Sequence, residues 1–294
     1  MEYIPAKTIV TNAKDSQWFG IDYNMNIYKG CCHGCIYCDS RSACYRIENF
    51  DQVRAKENAL RIIRDDLNRK VKQGVVGTGA MSDPYNPFEK ELKLTRNALE
   101  LINAYEFGAA IATKSNLVTR DIDILKDIKK HSPVLVKLSI TAYEDKLSKI
   151  VEPNVSPSSE RFDTIEKLTN AGIFAGVLMM PILPFIEDNE DNILQIIHRA
   201  KESGAKFIYP AFGVTMRQRQ REYFYEKLEQ HFPELKKKYQ SRYGDTRYSC
   251  TSPKAKKLWG IFNEECDRIG LYYKMKDIIW AYKLGYKKRQ MSLF

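Results

Sequence analysis

The chain has 294 residues and a mass of 34.2 kDa; at 44% hydrophobic and 29% charged it can bury one large core or two ordinary ones, and it is neither disordered nor collagen-like. Its 47 Lys and Arg against 37 Asp and Glu leave a net charge of +10, and no apolar run approaches the ~20 residues of a membrane-spanning helix, which excludes an integral protein of that kind. The first fifteen residues lack a basic segment followed by an apolar one, so the expected location is cytoplasmic.

In chain order, residues 22–28 read as a first strand that runs directly into a cluster of cysteines. Residues 51–70 read as a helix, with Leu60, Ile63 and Leu67 on one face, followed by a buried strand at 75–81. A second helix spans 89–106 with Leu92, Leu99 and Ile102 as its stripe, and the next strand is 107–113. A helix opening near Arg120 carries Ile122, Leu125 and Ile128; strand 134–141 follows. The helix bearing Phe162, Ile165 and Leu168 stops at Gly172, a suitable residue for a left-handed C-terminal cap. Residues 173–184 form a strand and loop, 189–203 a helix ended by Gly204, and 206–212 a last strand. Strands alternating with helices imply a parallel sheet with right-handed crossovers. Six such units are too few for an eight-stranded barrel, and the repeat alone leaves an open sheet and a partial barrel both possible. In either, functional groups gather at the C-terminal ends of the strands.

From residue 213 the pattern becomes helical, basic and aromatic. Residues 213–294 hold 19 Lys and Arg against 9 Asp and Glu, the whole excess of ten, and 15 of the chain's 34 aromatics. The expected organisation is a core over residues 1–212 with a basic helical extension, 213–294, packed on it and no linker between.

The seven cysteines are Cys31, Cys32, Cys35, Cys38, Cys44, Cys250 and Cys266, five of them within fourteen residues. A disulfide framework spreads further along a chain of this length, so the clustering points to metal. Cys31, Cys35 and Cys38 are spaced C-x3-C-x2-C in KGCCHGCIYC. Three thiolates on a tight loop ligate three irons of a [4Fe-4S] cluster and leave the fourth open to a small chelating molecule. Gly30 and Gly34 let the backbone bend closely around it, and Tyr37 offers a flat face for an adenine. The alternative is a structural zinc site, with Cys32, His33 or Cys44 as fourth ligand, although the chain has no distant second pair of ligands.

This loop resembles that of the radical S-adenosylmethionine (SAM) superfamily. The segments NIYKGCCHGCIYC (26–38), SDPYNPFE (82–89), TKSNLVTRDIDIL (113–125) and AGIFAGVLMMPILPFIEDNE (171–190) resemble, in order, the spore photoproduct lyase or DNA repair photolyase-like branch. The resemblance implies an α/β fold, a partial (β/α)6 TIM-type barrel with the basic helical C-terminal extension. It implies a [4Fe-4S] cluster and SAM as cofactors, an electron donor such as flavodoxin or ferredoxin, and hydrogen abstraction by a 5′-deoxyadenosyl radical. For SAM, it points to Ser82 and Asp83 at the amino group, Lys114 at the carboxylate and Ser139 at the ribose. Met179, Met180 and the 181–184 turn are expected around the adenine. Two departures stand out. The branch's hydrogen-returning cysteine, upstream of the Ser-Asp pair, is replaced by Ala80-Met81, and the aromatic after the third cluster cysteine is replaced by Asp39. The initiating chemistry is expected to be kept and that hydrogen-return route lost, which points to a substrate other than the spore thymine dimer.

The basic tail suits a nucleic-acid substrate, with Arg217, Arg219, Arg221, Lys236–Lys238, Lys254, Lys256, Lys257, Lys287, Lys288 and Arg289 as candidate phosphate contacts and aromatics for stacking. The last five residues, with Gln290, Leu293 and Phe294, resemble the short peptide that docks repair proteins on a sliding clamp. Two rival readings are a radical SAM enzyme acting on a peptide or small molecule and a zinc-stabilised nucleic-acid-binding module without turnover.

Overall fold

Each of the six expected strand segments contains a strand in the computed structural model, which describes residues 1–15 and 17–286. These strands are β1 (Tyr23–Met25), β2 (Val75–Thr78), β3 (Gly108–Thr113), β4 (Val134–Ser139), β5 (Phe174–Met179) and β6 (Ile208–Pro210). They lie side by side in chain order, all parallel, and form the partial (β/α)6 barrel. An additional strand, Val10–Asn12, pairs antiparallel with β1 at one edge.

The helices α1 (Ala59–Asn68), α2 (Leu94–Ala104), α3 (Ile122–Lys129), α4 (Ser158–Asn170) and α5 (Glu190–Glu202) form the outer layer. Their apolar stripes pack on outward strand residues such as Ile111, Val136 and Val177 in the main core. Helix α6 (Ala255–Ile269) joins that layer beside α5, contributing Leu258, Phe262 and Cys266 to the same core.

Two expected helices are shorter than their periodicity suggested. Residues Arg54–Lys56 are a strand pairing with Tyr28–Lys29 and Glu2–Ile4, so α1 begins only at Ala59. The helix expected over 89–106 is broken at Lys93, whose backbone is left-handed (φ 50°). The buried Glu89 carboxylate fixes that break by accepting from the Thr95 N–H, the Tyr28 hydroxyl and Arg120.

The barrel is closed at both ends by side chains. At the N-terminal ends of the strands, Phe19, Leu135, Phe207, Ile278 and Tyr282 form a plug in which the helix α7 (Met275–Lys283) is the outer piece. Over the C-terminal ends, the helices Gln220–His231 and Pro233–Tyr243 form a cap with Phe224, Tyr225, Leu228, Tyr239 and Tyr243 packed on Tyr37, Val151 and Leu183. These tail aromatics are therefore packing groups, not base-stacking surfaces. Between plug and cap several strand positions carry small residues, Gly77, Ala110, Ala112 and Gly176, beside the larger Lys137 and Leu178. A methyl group on Gly176 would come within 2.3 Å of the Phe207 carbonyl oxygen. Small residues there leave room inside the barrel. Among the described residues no helix is long and apolar enough to cross a membrane.

Candidate active site

The space left inside the barrel is a cavity of about 590 Å³. Its wall includes all eight residues singled out from the sequence: Cys31, Cys35, Cys38 and Tyr37 after β1, Ser82 and Asp83 after β2, Lys114 after β3, and Ser139 at the end of β4. Met180 and Pro181 also line it, whereas Met179 points into the main core.

The cysteine loop is shaped by two left-handed glycines, Gly30 (φ 81°) and Gly34 (φ 71°). A Cβ on Gly30 would lie 2.4 Å from the Gln52 carbonyl oxygen, so the loop is pressed on the small sheet behind it. The Ser82 hydroxyl donates to the Gly30 carbonyl at 2.5 Å and ties the loop to the end of β2. Burial raises all three thiols, with Cys31 pushed up to about 12. Buried thiolates need a cationic partner, and binding an iron core to them releases protons. Among the described residues no three His, Cys, Asp or Glu side chains converge as a single metal ion requires. The three thiols all line the cavity, a donor set suited to separate irons of a cluster. The alternative ligands fit less well. Exposed Cys44 accepts from Arg217 Nη1 at 3.0 Å, and His33, whose pKa burial lowers, faces Asp83 at 3.6 Å.

Asp83 is held firmly. One carboxylate oxygen accepts from the Tyr85 N–H (2.9 Å) and the Thr113 hydroxyl (2.7 Å), the other from the Lys114 N–H (2.8 Å). With about four lone-pair sites per carboxylate, one remains for a ligand. The turn before it is equally constrained. Gly79 has φ 96°, and a Cβ there would overlap the Ala112 carbonyl oxygen at 1.9 Å.

Behind the cavity wall lies a charge network that sequence reasoning missed. Glu152, fully buried, accepts from Arg161 Nη1 at 2.6 Å and from the Tyr37 hydroxyl through a very short hydrogen bond. Lys114 Nζ lies 3.9 Å from the same carboxylate and 5.8 Å from the centre of the Tyr37 ring. Arg161, also fully buried, donates further to the Ser139 carbonyl and the Ser148 hydroxyl. Burial works against charge on both Glu152 and Lys114. The attraction of Arg161 and Lys114 nevertheless keeps the Glu152 pKa below its ordinary value, and Cys35, Glu152 and Asp83 hold that of Lys114 above. Glu152 thus orients Tyr37 and helps sustain the Lys114 cation.

At the rim, Asp39 accepts from the hydroxyls of Tyr45 and Thr215, and Arg217 spans Asp39, Tyr45 and Tyr248. Arg219 beside it is exposed. Arg221, expected at a phosphate, is instead buried and donates to the carbonyls of Met216, Gly244 and Arg247, so it fixes the cap. Lys257 pairs with Glu190 and Lys236 with Glu229. Lys287, Lys288, Arg289 and the clamp-type residues Gln290, Leu293 and Phe294 lie outside the described residues. Ala80 and Met81 do face the cavity, and among the described residues its lining cysteines are the three loop thiols.

The sequence profile of the Radical SAM superfamily matches residues 25–200. An uncharacterized protein of Methanocaldococcus jannaschii is 36% identical over 219 residues, spanning 73% of this chain and 78% of that one. Among solved structures, a mutant spore photoproduct lyase aligns with a TM-score of 0.67 at 16% identity, over 92% of this chain and 81% of its own. Spore photoproduct lyase complexed with dinucleoside spore photoproduct aligns at 0.64 with 15% identity, over 92% and 82%. At these identities the structural likeness is one of fold.

Proposed function

The chain belongs to the radical SAM superfamily, and from that membership we propose that it abstracts a hydrogen atom from a damaged or modified base of DNA or RNA. Radical SAM proteins bind a [4Fe-4S] cluster and SAM, which supply a 5′-deoxyadenosyl radical once an electron arrives from a donor of flavodoxin or ferredoxin type. In this reading Cys31, Cys35 and Cys38 hold the cluster. Lys114, kept cationic by Glu152, meets the SAM carboxylate; the remaining lone pair of Asp83 and the Ser82 turn meet its amino group. Ser139 serves the ribose, and Tyr37, Met180 and Pro181 enclose the adenine. The cap over the strand ends excludes water from the reacting groups.

The observation that carries this reading is that four successive strand ends deliver these eight residues to one cavity. A nucleic-acid substrate is supported by the segregated positive charge, by the Arg217–Arg219–Tyr248 rim, and by the dinucleoside held by a protein of the same fold. Among the described residues the cavity lining holds no thiol beyond the three of the loop, which supports quenching of the product radical by a group other than a cysteine there.

The test is anaerobic reconstitution with iron and sulfide. The expected result is a brown protein that forms 5′-deoxyadenosine from SAM on reduction with dithionite, while Cys35→Ala does neither. A colourless protein, or undiminished turnover by that variant, overturns the assignment. Lesion-bearing oligonucleotides are then scored for product and for salt-dependent binding; no binding at low salt overturns the nucleic-acid part.

A further inference from the structure

The cavity holds a second lysine that the SAM contacts do not use. Lys137 lies in the middle of β4 and points inward between Leu135 and Ser139. It is 2% exposed, yet among the described residues its Nζ has no hydrogen-bond or ion-pair partner; its contact is the Phe19 ring, 4.7 Å from Nζ to the centroid. Its neighbours in register on the flanking strands are Ala112 and Gly176, so no side chain there reaches over the amine. Burial alone brings its pKa down to about 7, in contrast to the charge-supported Lys114. The amine is not sealed inside the protein but reaches the surface of the cavity, where an acceptor on a ligand can meet it. A fold does not need it there, since Leu or Met fills such a place.

The same end of the cavity has an aromatic wall. Trp18 lines the cavity while remaining 38% exposed, and its ring meets Phe19 and Tyr209 edge-on at 5.1 and 5.5 Å. Phe19 and Gly20 are consecutive left-handed residues (φ 48° and 61°), an arrangement unfavourable for phenylalanine. The Tyr282 hydroxyl, donating to the Phe19 carbonyl at 2.7 Å, holds this turn in place. The strained Phe19, the open indole of Trp18 and the amine of Lys137 are therefore linked through the Phe19 ring.

We propose that Lys137 is a substrate-binding residue that donates to a carbonyl oxygen of a nucleobase laid against Trp18. The proposal rests on the nucleic-acid reading above and adds to it the group that selects the base. Charged or neutral, the amine keeps hydrogens to donate. The site then favours a flat ring with a carbonyl oxygen at its edge, as in thymine or uracil, over an apolar ring of equal size.

The test uses the full chain, reconstituted with its cluster and saturated with SAM, and measures thymidine binding by equilibrium dialysis. The probes are thymidine and its analogue with both ring carbonyl oxygens replaced by sulfur, a poor acceptor. Wild-type protein is expected to bind thymidine at least ten-fold more tightly than the thio analogue. Lys137→Met is expected to lose the preference and bind both at the weaker level; circular dichroism and the cluster absorbance report that it is folded. Absence of thymidine binding, or equal binding of the two probes by wild type, overturns the proposal without need of the variant. Formation of 5′-deoxyadenosine by the wild-type protein is scored separately. Its failure strikes the radical reading and leaves the base pocket standing; the converse result strikes the pocket alone.

Discussion

Replacing Glu152 by Gln tests whether the cavity wall is organised by one buried charge. The substitution keeps the shape and removes the negative charge that faces Arg161 at 2.6 Å and Lys114 at 3.9 Å. Breaking a buried pair by neutralising one partner costs about 3–5 kcal/mol, because the other charge is left unpaired. Arg161 keeps the Ser139 and Ser156 carbonyls and the Ser148 hydroxyl as acceptors, which places the loss near the lower figure. With a urea dependence of about 3 kcal/mol per molar, the unfolding midpoint should fall by about 1 M. A pair buried this deeply is poorly screened, so the same drop is expected in about 0.5 M salt. The pH dependence has a defined sign. The Glu152 carboxyl sits below its ordinary pKa in the fold, so its contribution is present above pH 4.5 and is lost as pH falls through the folded value; Glu152→Gln should lack that acid limb. Pairing Glu152→Leu with Arg161→Met should recover most of the stability. A midpoint unchanged within about 0.2 M would falsify the reasoning, since the carboxylate would then be hydrated and Lys114 sustained by something else.

Gly79→Ala should cost about 3 kcal/mol or more and displace the Ser82–Asp83 turn, read as a lower melting temperature and weaker SAM binding, because its Cβ has no room beside the Ala112 carbonyl. Lys137→Met should stabilise the fold more at pH 6 than at pH 10, by up to about 4 kcal/mol. Below pH 7 the native lysine must bury its charge, and that cost is relieved as pH rises toward 10.5; equal effects at both pH values would refute the burial argument. Arg217→Ala should change stability by less than about 1 kcal/mol, its pairs being half exposed. It should also weaken oligonucleotide binding and reduce the salt slope by about one, measured by anisotropy across a salt series.

The sheet was legible because its strands after the first lie in mostly apolar or small-residue runs bounded by helical patterns. The Arg54–Lys56 strand was not, since three residues with two charged ends carry no alternation and adjoin a true helix. The cysteine loop and the polar residue after each strand identified the site, because the parallel topology brings those ends together whatever the helices do. Glu152 and Arg161 were hidden. Charged residues near a Pro-rich turn look solvated, and only the folded chain shows that they face each other. Lys137 had a signal that went unread, a lysine in the centre of VLVKLSIT, where every neighbour is apolar or small. The tail's aromatics divide, with Phe224, Tyr225, Tyr239 and Tyr243 filling the cap while Tyr248, Trp259, Tyr272 and Trp280 stay exposed, a distinction that abundance alone does not make.

The lower plug joins residues far apart in the chain, with Tyr282 donating to the Phe19 carbonyl across 263 positions. A growing polypeptide leaves the ribosome amino end first, so all six strands emerge before the helix that floors the barrel. Until that helix docks, Phe19, Leu135 and Phe207 lack the Ile278 and Tyr282 side chains that cover them. Closing the barrel floor is therefore a late contact of high sequence separation, made only once residues 275–283 have been synthesised.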